Sequence, residues 1–566
     1  MERSGLRSEG GIRDVILHAA IFAAEEMGVV LKRTSYSPNI RDRLDFSCAI
    51  LTPDGELVAQ AEHIPVHLGS MAVGLKNVMR EAERLGLSME EGDVVIVNDP
   101  YIAGTHLNDI MLIKPVYYLG RLIAFVANKA HHVDVGGQVP GSIGGNVVEL
   151  VQEGIVIPPT KLVERGRLRR DVIRLLQANV RTPRYVSGDL KAQLASLNVG
   201  EVAVRKLAEK YGVSTLLDTW SWALDYVEAY TRNTVRELGI EGSATGEDYL
   251  ELGDGLVRIR ARVSFRRDSV KVDFEGTSPQ VDAPINAVFG VTVAATLFAL
   301  KSILDPEMPM NGGFERVIEI RAPKGTLVNP VRPAPVSAGN VETSQRIVDA
   351  VYKALAQLLP SKVPAASCGS MNNVAVGGRG WAFYETIACG SGGRPCCDGV
   401  DGVHTNMTNT MNTPIEVLES SYPVLFIQYK LRDGSGGPGR YRGGLGVIRA
   451  FAVLEDNVRV TITGERVKLR PWGLQGGLPG EPAEYLVVRG DGRVEKLPSK
   501  ATVSLNSGDM IVIKTAGGGG WGDPRLRPKS LVEKDLREGR VTLEQASKYY
   551  GYKPSQKNRL DERRGY

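Results

Sequence analysis

Residues 167–238 are charged, poor in glycine and carry apolar residues at helical spacing, whereas the stretches on either side hold short β-like runs broken by turn residues. A chain that changes period in this way combines helices with sheets, so the expected fold class is α+β and multidomain. At 566 residues it exceeds one ordinary core, and a prior of about 100–200 residues per domain predicts about three or four.

Upstream, Ile12, Val15, Ile16, Ala19, Phe22, Met27, Val30 and Leu31 predict an amphipathic helix over 12–33. Residues 46–51 and 57–59 read as a hairpin around Pro53-Asp54-Gly55. A helix over 70–86 and strands at 94–97, 111–118 and 122–127 follow, the last two joined across Leu119-Gly120. Residues 250–275 alternate like strands, and 289–303 and 343–358 read as helices. Glycine and short β-like runs dominate from 366 to 521. The organisation expected is an N-terminal α+β domain over 1–165, a helical subdomain over 166–245, a central α+β region over 246–365, a mainly β region over 366–526, and a charged, partly helical tail over 527–566.

Net charge is +4, from 69 Lys plus Arg against 65 Asp plus Glu, so neither nucleic acid nor an anionic membrane is an expected partner. The longest uncharged apolar run, 287–300, is shorter than the ~20 residues of a membrane span and reads as a buried helix. Glu2, Arg3, Arg7 and Glu9 interrupt any apolar leader, and no secretory signal is expected. Five cysteines without C-x-x-C spacing argue for a reducing cytoplasm and against a disulfide or structural-zinc scaffold.

Histidine is scarce, with seven in the chain, yet His63, His67, His106, His131 and His132 fall within 70 residues where an even spread puts about one. They sit among carboxylates and sharp turns: Gly104-Thr105-His106-Leu107-Asn108-Asp109 and His131-His132-Val133-Asp134-Val135-Gly136-Gly137 border predicted strands. Neutral imidazole with carboxylate suits a divalent zinc, manganese or iron ion, and an open coordination position makes such a site catalytic. His106, Asp109 and His131 are the first choice of ligands; His132 and Asp134 are candidates for a further ligand, an orienting partner or a proton shuttle. His18, alone on a predicted helix, reads as structural, and His404 stands apart from the cluster.

No G-x-x-x-x-G-K-[ST] loop is present, so nucleotide use requires another chain. Gly434-Ser435-Gly436-Gly437-Pro438-Gly439 matches a dinucleotide fingerprint in letters, but no helix starts after it and a turn is the better reading. No G-x-S-x-G is present, and Cys396-Cys397 among glycines reads as structural or incidental.

Several segments together resemble the hydantoinase B family, which includes the second half of ATP-dependent oxoprolinases and is similar to subunits of acetone and acetophenone carboxylases. They are Glu25-Glu26-Met27-Gly28, residues 33–40, Asp45-Phe46-Ser47-Cys48-Ala49, residues 63–71, 98–109 and 131–137, Ser337-Ala338-Gly339-Asn340-Val341-Glu342-Thr343-Ser344-Gln345, and residues 517–524. The resemblance spans nearly the whole chain. It implies a hetero-oligomer in which an actin-like ATPase of the hydantoinase A type uses ATP to phosphorylate the carbonyl oxygen of a small cyclic amide, and the present chain processes the product. In that frame the ion at His106, Asp109 and His131 lowers the pKa of water toward ~7 for attack on the activated carbon. His132 or Asp134 manages the proton, and His63 or His67 contacts phosphate or substrate. Carboxylation of a phosphorylated enol at the same site, or a non-catalytic scaffold for the ATPase, are the alternatives.

Overall fold

The computed structural model describes residues 2–61, 63–67 and 69–553, with side chains from residue 11 onward, so the last part of the expected tail lies outside the described residues. Helices and four sheets alternate along the chain. The first sheet contains β1 (Phe46–Leu51), β2 (Leu57–Ala61), β3 (Val94–Val97), β4 (Asp109–Tyr118), β5 (Arg121–His131), β6 (Thr160–Glu164) and β7 (Arg167–Leu168) in the order β2-β1-β5-β4-β3-β6-β7, antiparallel throughout.

Both faces of this sheet are covered, which is why its strands read as unbroken apolar runs instead of alternating ones. Ala49, Leu51, Met111 and Ile113 pack against Met71, Leu75 and Val78 of the helix Ser70–Leu85. Cys48, Ile50, Ile110 and Leu112 face the opposite way, toward the long helices Glu2–Thr34 and Pro183–Tyr211. The helix Ser70–Leu85 ends at Gly86, whose φ of 65° places it in the left-handed region that stops a helix. The helical stretch after residue 170 therefore lies on the first sheet and shares one hydrophobic core with it and with the second sheet.

The second sheet joins β8 (Gly242–Leu252), β9 (Gly255–Arg266), β10 (Ser269–Asp273) and β11 (Ile318–Arg321), with β10 and β11 parallel. The helix Ser344–Leu358 lies close on β8, and a Cβ on Gly246 would stand 2.1 Å from the Ala350 carbonyl oxygen. The apolar run foreseen as a buried helix forms Phe289–Leu304. Two further sheets, built from β12 (Asn373–Gly378) to β20 (Met510–Lys514), share a second core around Phe383, Phe451, Ile462 and Ile513. The glycines at 517–520 run against the backbones of residues 390–393, 435–444 and 472–473, so closely that Cβ atoms there would meet neighbouring carbonyls.

One expectation is overturned. Cys368, before β12, and Cys389, after β13 (Trp381–Thr386), form a disulfide, leaving Cys48, Cys396 and Cys397 free. The missing C-x-x-C motif speaks only to cysteines adjacent in sequence, whereas these two meet because the β12–β13 hairpin brings its ends together. No helix among the described residues is long and apolar enough to cross a membrane.

Candidate metal centre

The site begins with strand register. Asp109 opens β4 and His131 closes β5, and the two are direct antiparallel partners, so their side chains share one face at one end of the sheet. On the other side of β5, Phe46 of β1 pairs with Ala130, and the His131 N–H donates to the Asp45 carbonyl oxygen at 3.0 Å. Asp45, His131 and Asp109 thus form a row across three neighbouring strands. His106 joins them through the turn before β4, closed by the Asp109 N–H donating to its carbonyl oxygen at 3.1 Å.

The side-chain atoms converge. His106 Nε2 lies 3.1 Å from both Asp109 Oδ1 and His131 Nδ1, and His131 Nδ1 is 3.3 Å from Asp109 Oδ1. All three residues are buried. His106 Nδ1 is 2.9 Å from the Ser337 carbonyl oxygen, which can only accept, so Nδ1 carries a proton and Nε2 is the nitrogen turned inward. Imidazole nitrogens and a carboxylate oxygen at this range need a positive charge between them, either a shared proton or a bound cation. Ligand atoms about 2.0–2.2 Å from one ion stand about 3.0–3.5 Å apart, the spacing found here. The donor set and its geometry therefore fit a divalent ion such as zinc, manganese or iron.

The carboxylate and the histidines shift one another's protonation. Burial opposes charge on His106, but the Asp109 carboxylate outweighs it and lifts the imidazole pKa. Burial likewise opposes charge on Asp109, yet the facing histidines hold its carboxyl well below the usual range. Burial dominates at His131 and pushes its pKa down.

His67 belongs to this assembly. Its Nε2 lies 3.3 Å from Asp109 Oδ2 and its Nδ1 lies 3.1 Å from Ser47 Oγ. Because an ionised carboxylate only accepts, Nε2 carries the proton and Nδ1 accepts from the Ser47 hydroxyl. The remaining candidates lie elsewhere. His63 packs its ring 4.5 Å from Phe46 and beside Gly28, and makes no contact with the three converging residues. His132 is directed to Gln193 on the helix Pro183–Tyr211, 3.0 Å away. Asp134 braces a loop, its Oδ1 accepting from the N–H groups of Gly136 and Arg181 and its Oδ2 from the Gly141 N–H and the Arg181 guanidinium. A proton-shuttle role for His132 or Asp134, expected from their proximity in sequence, has no geometric support: successive residues leave a strand end in different directions.

Other residues at the site were not singled out from the sequence, although Asp45, Ser337 and Asn340 lie in segments that carry the family resemblance. Asp45 Oδ2 lies 3.9 Å from His131 Nδ1. Its position one residue before β1 was visible, but its place beside His131 depends on β1–β5 pairing. Tyr384 of β13 stacks on His131 with ring centroids 4.8 Å apart, and the guanidinium of buried Arg43 stands 4.8 Å from the Tyr384 ring centroid. Glu153 accepts from the Val336 and Ser337 N–H groups, fixing the carbonyl that orients His106; burial pushes its own pKa up to about 7. Asn340 donates from Nδ2 to Asp109 Oδ2 at 3.3 Å.

The family model described as hydantoinase B/oxoprolinase matches residues 13–524. The chain belongs to the hydantoinase B/oxoprolinase family. Among its relatives is an uncharacterised protein of Methanocaldococcus jannaschii, 53% identical over 540 residues and covered over 95% of each chain. 5-Oxoprolinase 1 of Arabidopsis thaliana is 36% identical over 535 residues, covering 89% of this chain but 41% of the plant protein. The chain thus spans about two fifths of the length of that 5-oxoprolinase. A solved structure, the ATP-dependent caprolactamase of Pseudomonas jessenii, superposes with a TM-score of 0.90 at 31% identity, covering 97% of both chains.

Proposed function

We propose that this member of the hydantoinase B/oxoprolinase family is the B-type subunit of an ATP-dependent cyclic amidase. In this reading it hydrolyses a ring amide whose carbonyl oxygen an A-type ATPase partner has phosphorylated. The observation that carries the reading is the convergence of His106 Nε2, Asp109 Oδ1 and His131 Nδ1, with Nε2 fixed by Ser337 as the inward nitrogen of His106. Likeness to an ATP-dependent caprolactamase and a 5-oxoprolinase supports ring amides as the substrate class. The missing phosphate-binding loop motif supports assigning ATP to a partner.

An amide resists attack because resonance stabilises it. Phosphorylating its oxygen makes the ring carbon electrophilic, so that water adds there and the ring C–N bond breaks as the nitrogen takes up protons and leaves as an amine. A second water splits the resulting acyl phosphate into carboxylate and phosphate. His106, Asp109 and His131 would hold a divalent ion that supplies Lewis acidity, acidifying water and polarising the carbonyl. The chain's own residues do the positioning. Ser337 aims His106, His67 and Asn340 hold the outer oxygen of Asp109, and the buried surroundings keep bulk water from the activated carbon.

The test is co-purification with the ATPase partner, elemental analysis, and an assay of ATP-dependent opening of hydantoin, 5-oxoproline and caprolactam. His106→Ala and Asp109→Ala are expected to lose bound metal and turnover while the partner complex survives. Full turnover by a metal-free preparation contradicts the reading.

A further inference from the structure

In the proposed reaction the phosphoryl group stays on the oxygen of the reacting carbon until the second water arrives, so a group close to the three converging residues has to receive its negative charge. Neither histidine given that task from the sequence can take it. His67 uses its two ring nitrogens on Asp109 and Ser47, and His63 packs on Phe46.

Arg43 has the properties required. It follows the short helix Pro38–Arg41, and its side chain is fully buried. Three neutral acceptors hold it: Nη1 donates to Asn39 Oδ1 at 3.1 Å and to the Tyr384 carbonyl oxygen at 3.0 Å, and Nη2 donates to Thr386 Oγ1 at 2.9 Å. Among the described residues the carboxylate that pairs with it is Asp45, and that contact is long, 3.9 Å from Nη2 to Oδ2. The same oxygen stands 3.9 Å from His131 Nδ1, so the guanidinium lies within two such steps of a nitrogen at the centre of the site.

Two donors here have no acceptor among the described residues, Arg43 Nε and Asn39 Nδ2, in residues 0% and 2% exposed. The orientation of the Asn39 amide is set by its neighbour: a guanidinium only donates, so Oδ1 faces Arg43 and Nδ2 takes the other side. A buried cation with neutral partners and spare donors is costly, and a bound anion supplies both the missing charge and the missing acceptors. The planar fork of arginine suits phosphate oxygens in particular.

We infer that Arg43, with the Asn39 amide, binds the phosphoryl group of the activated substrate. The inference rests on the function proposed above and assigns residues to the group that activation adds to the ring.

The test is calorimetric titration of the purified chain, its metal content known from elemental analysis, with inorganic phosphate, the product of the second hydrolysis. The wild type is expected to bind phosphate at least about tenfold more tightly than acetate, and Arg43→Met to bind phosphate at least about tenfold more weakly than the wild type. Asn39→Asp is the second variant, and it decides the matter where Arg43→Met does not fold. Its Oδ1 still accepts from Arg43, which preserves the local structure, while a carboxylate oxygen replaces the spare donor; the same loss of phosphate affinity is expected, with metal content unchanged. Absence of phosphate binding by the wild type overturns the inference, as does wild-type affinity in either folded variant. Acetate bound as tightly as phosphate also overturns it, since the pair would then read a carboxylate. Loss of metal from Asn39→Asp overturns it by making the pair a support of the metal centre. Failure of the complete complex to open rings with ATP sinks the proposed function separately, because this titration needs neither ATP nor a ring amide.

Discussion

The two oxygens of Asp109 have different neighbours, and the difference organises the site. Oδ1 faces His106 and His131, while Oδ2 faces the donors of His67 and Asn340. A carboxylate pinned through one oxygen presents the other in a single direction, which is how an outer partner orients an inner ligand. His67→Ala is therefore expected to weaken metal affinity about 10–100-fold with all three converging residues intact. Competition with a chelator of known affinity measures it, and an unchanged dissociation constant would remove His67 from the assembly. His67 was visible in sequence as one of a clustered set, but its role was not, because spacing along the chain does not say which oxygen of which carboxylate a ring meets.

Among elements, the β4–β5 hairpin explains why the three proposed ligands were legible. Folding the chain at Leu119-Gly120 sets Asp109 opposite His131, and the turn before β4 adds His106. Local rules therefore carried the reading this far. Asp45 and Asn340 depend on contacts with strands and turns distant in sequence, and a π-helical turn has no recognisable composition. The Cys368–Cys389 bond has the same origin, since hairpin ends meet only after β12 and β13 pair. Closing a loop of this separation stabilises by about 2–4 kcal/mol in a chain-entropy account. Cys389→Ser is expected to lower the melting temperature by several degrees, and reductant to lower that of the wild type but not of the variant. Equal sensitivity of both to reductant would show that the bond contributes nothing.

Across the whole molecule, residues from the later sheets complete a site founded on the first. Tyr384 comes from β13, Ser337 and Asn340 from the segment leading into the helix Ser344–Leu358, and their placement requires the intervening layers to be locked. A buried ionic lattice joins those layers. Arg466, after β16 (Val458–Thr463), lies 2.7 Å from Asp349 and 3.3 Å from Asp248 of β8, while Arg346 reaches Asp349 at 2.7 Å. Removing one member strands the charge of the others, so Arg466→Met is expected to destabilise by about 3–5 kcal/mol. Denaturant unfolding reads this, and a loss below about 1 kcal/mol would place the lattice outside the groups that hold the sheets together.

Sequence by itself determined the mixed helix-and-sheet class, the long helices, the β4–β5 hairpin and the clustering of histidine with carboxylate, because each follows from local periodicity, turn chemistry or spacing. Only the tertiary structure decided which clustered groups converge. His132 and Asp134 turn to Gln193 and Arg181, while Asp45, Asn340 and Tyr384 arrive from other elements. The physical reason is that side-chain direction at a strand end is set by the register with neighbouring strands, and register is a property of paired segments that no single segment contains.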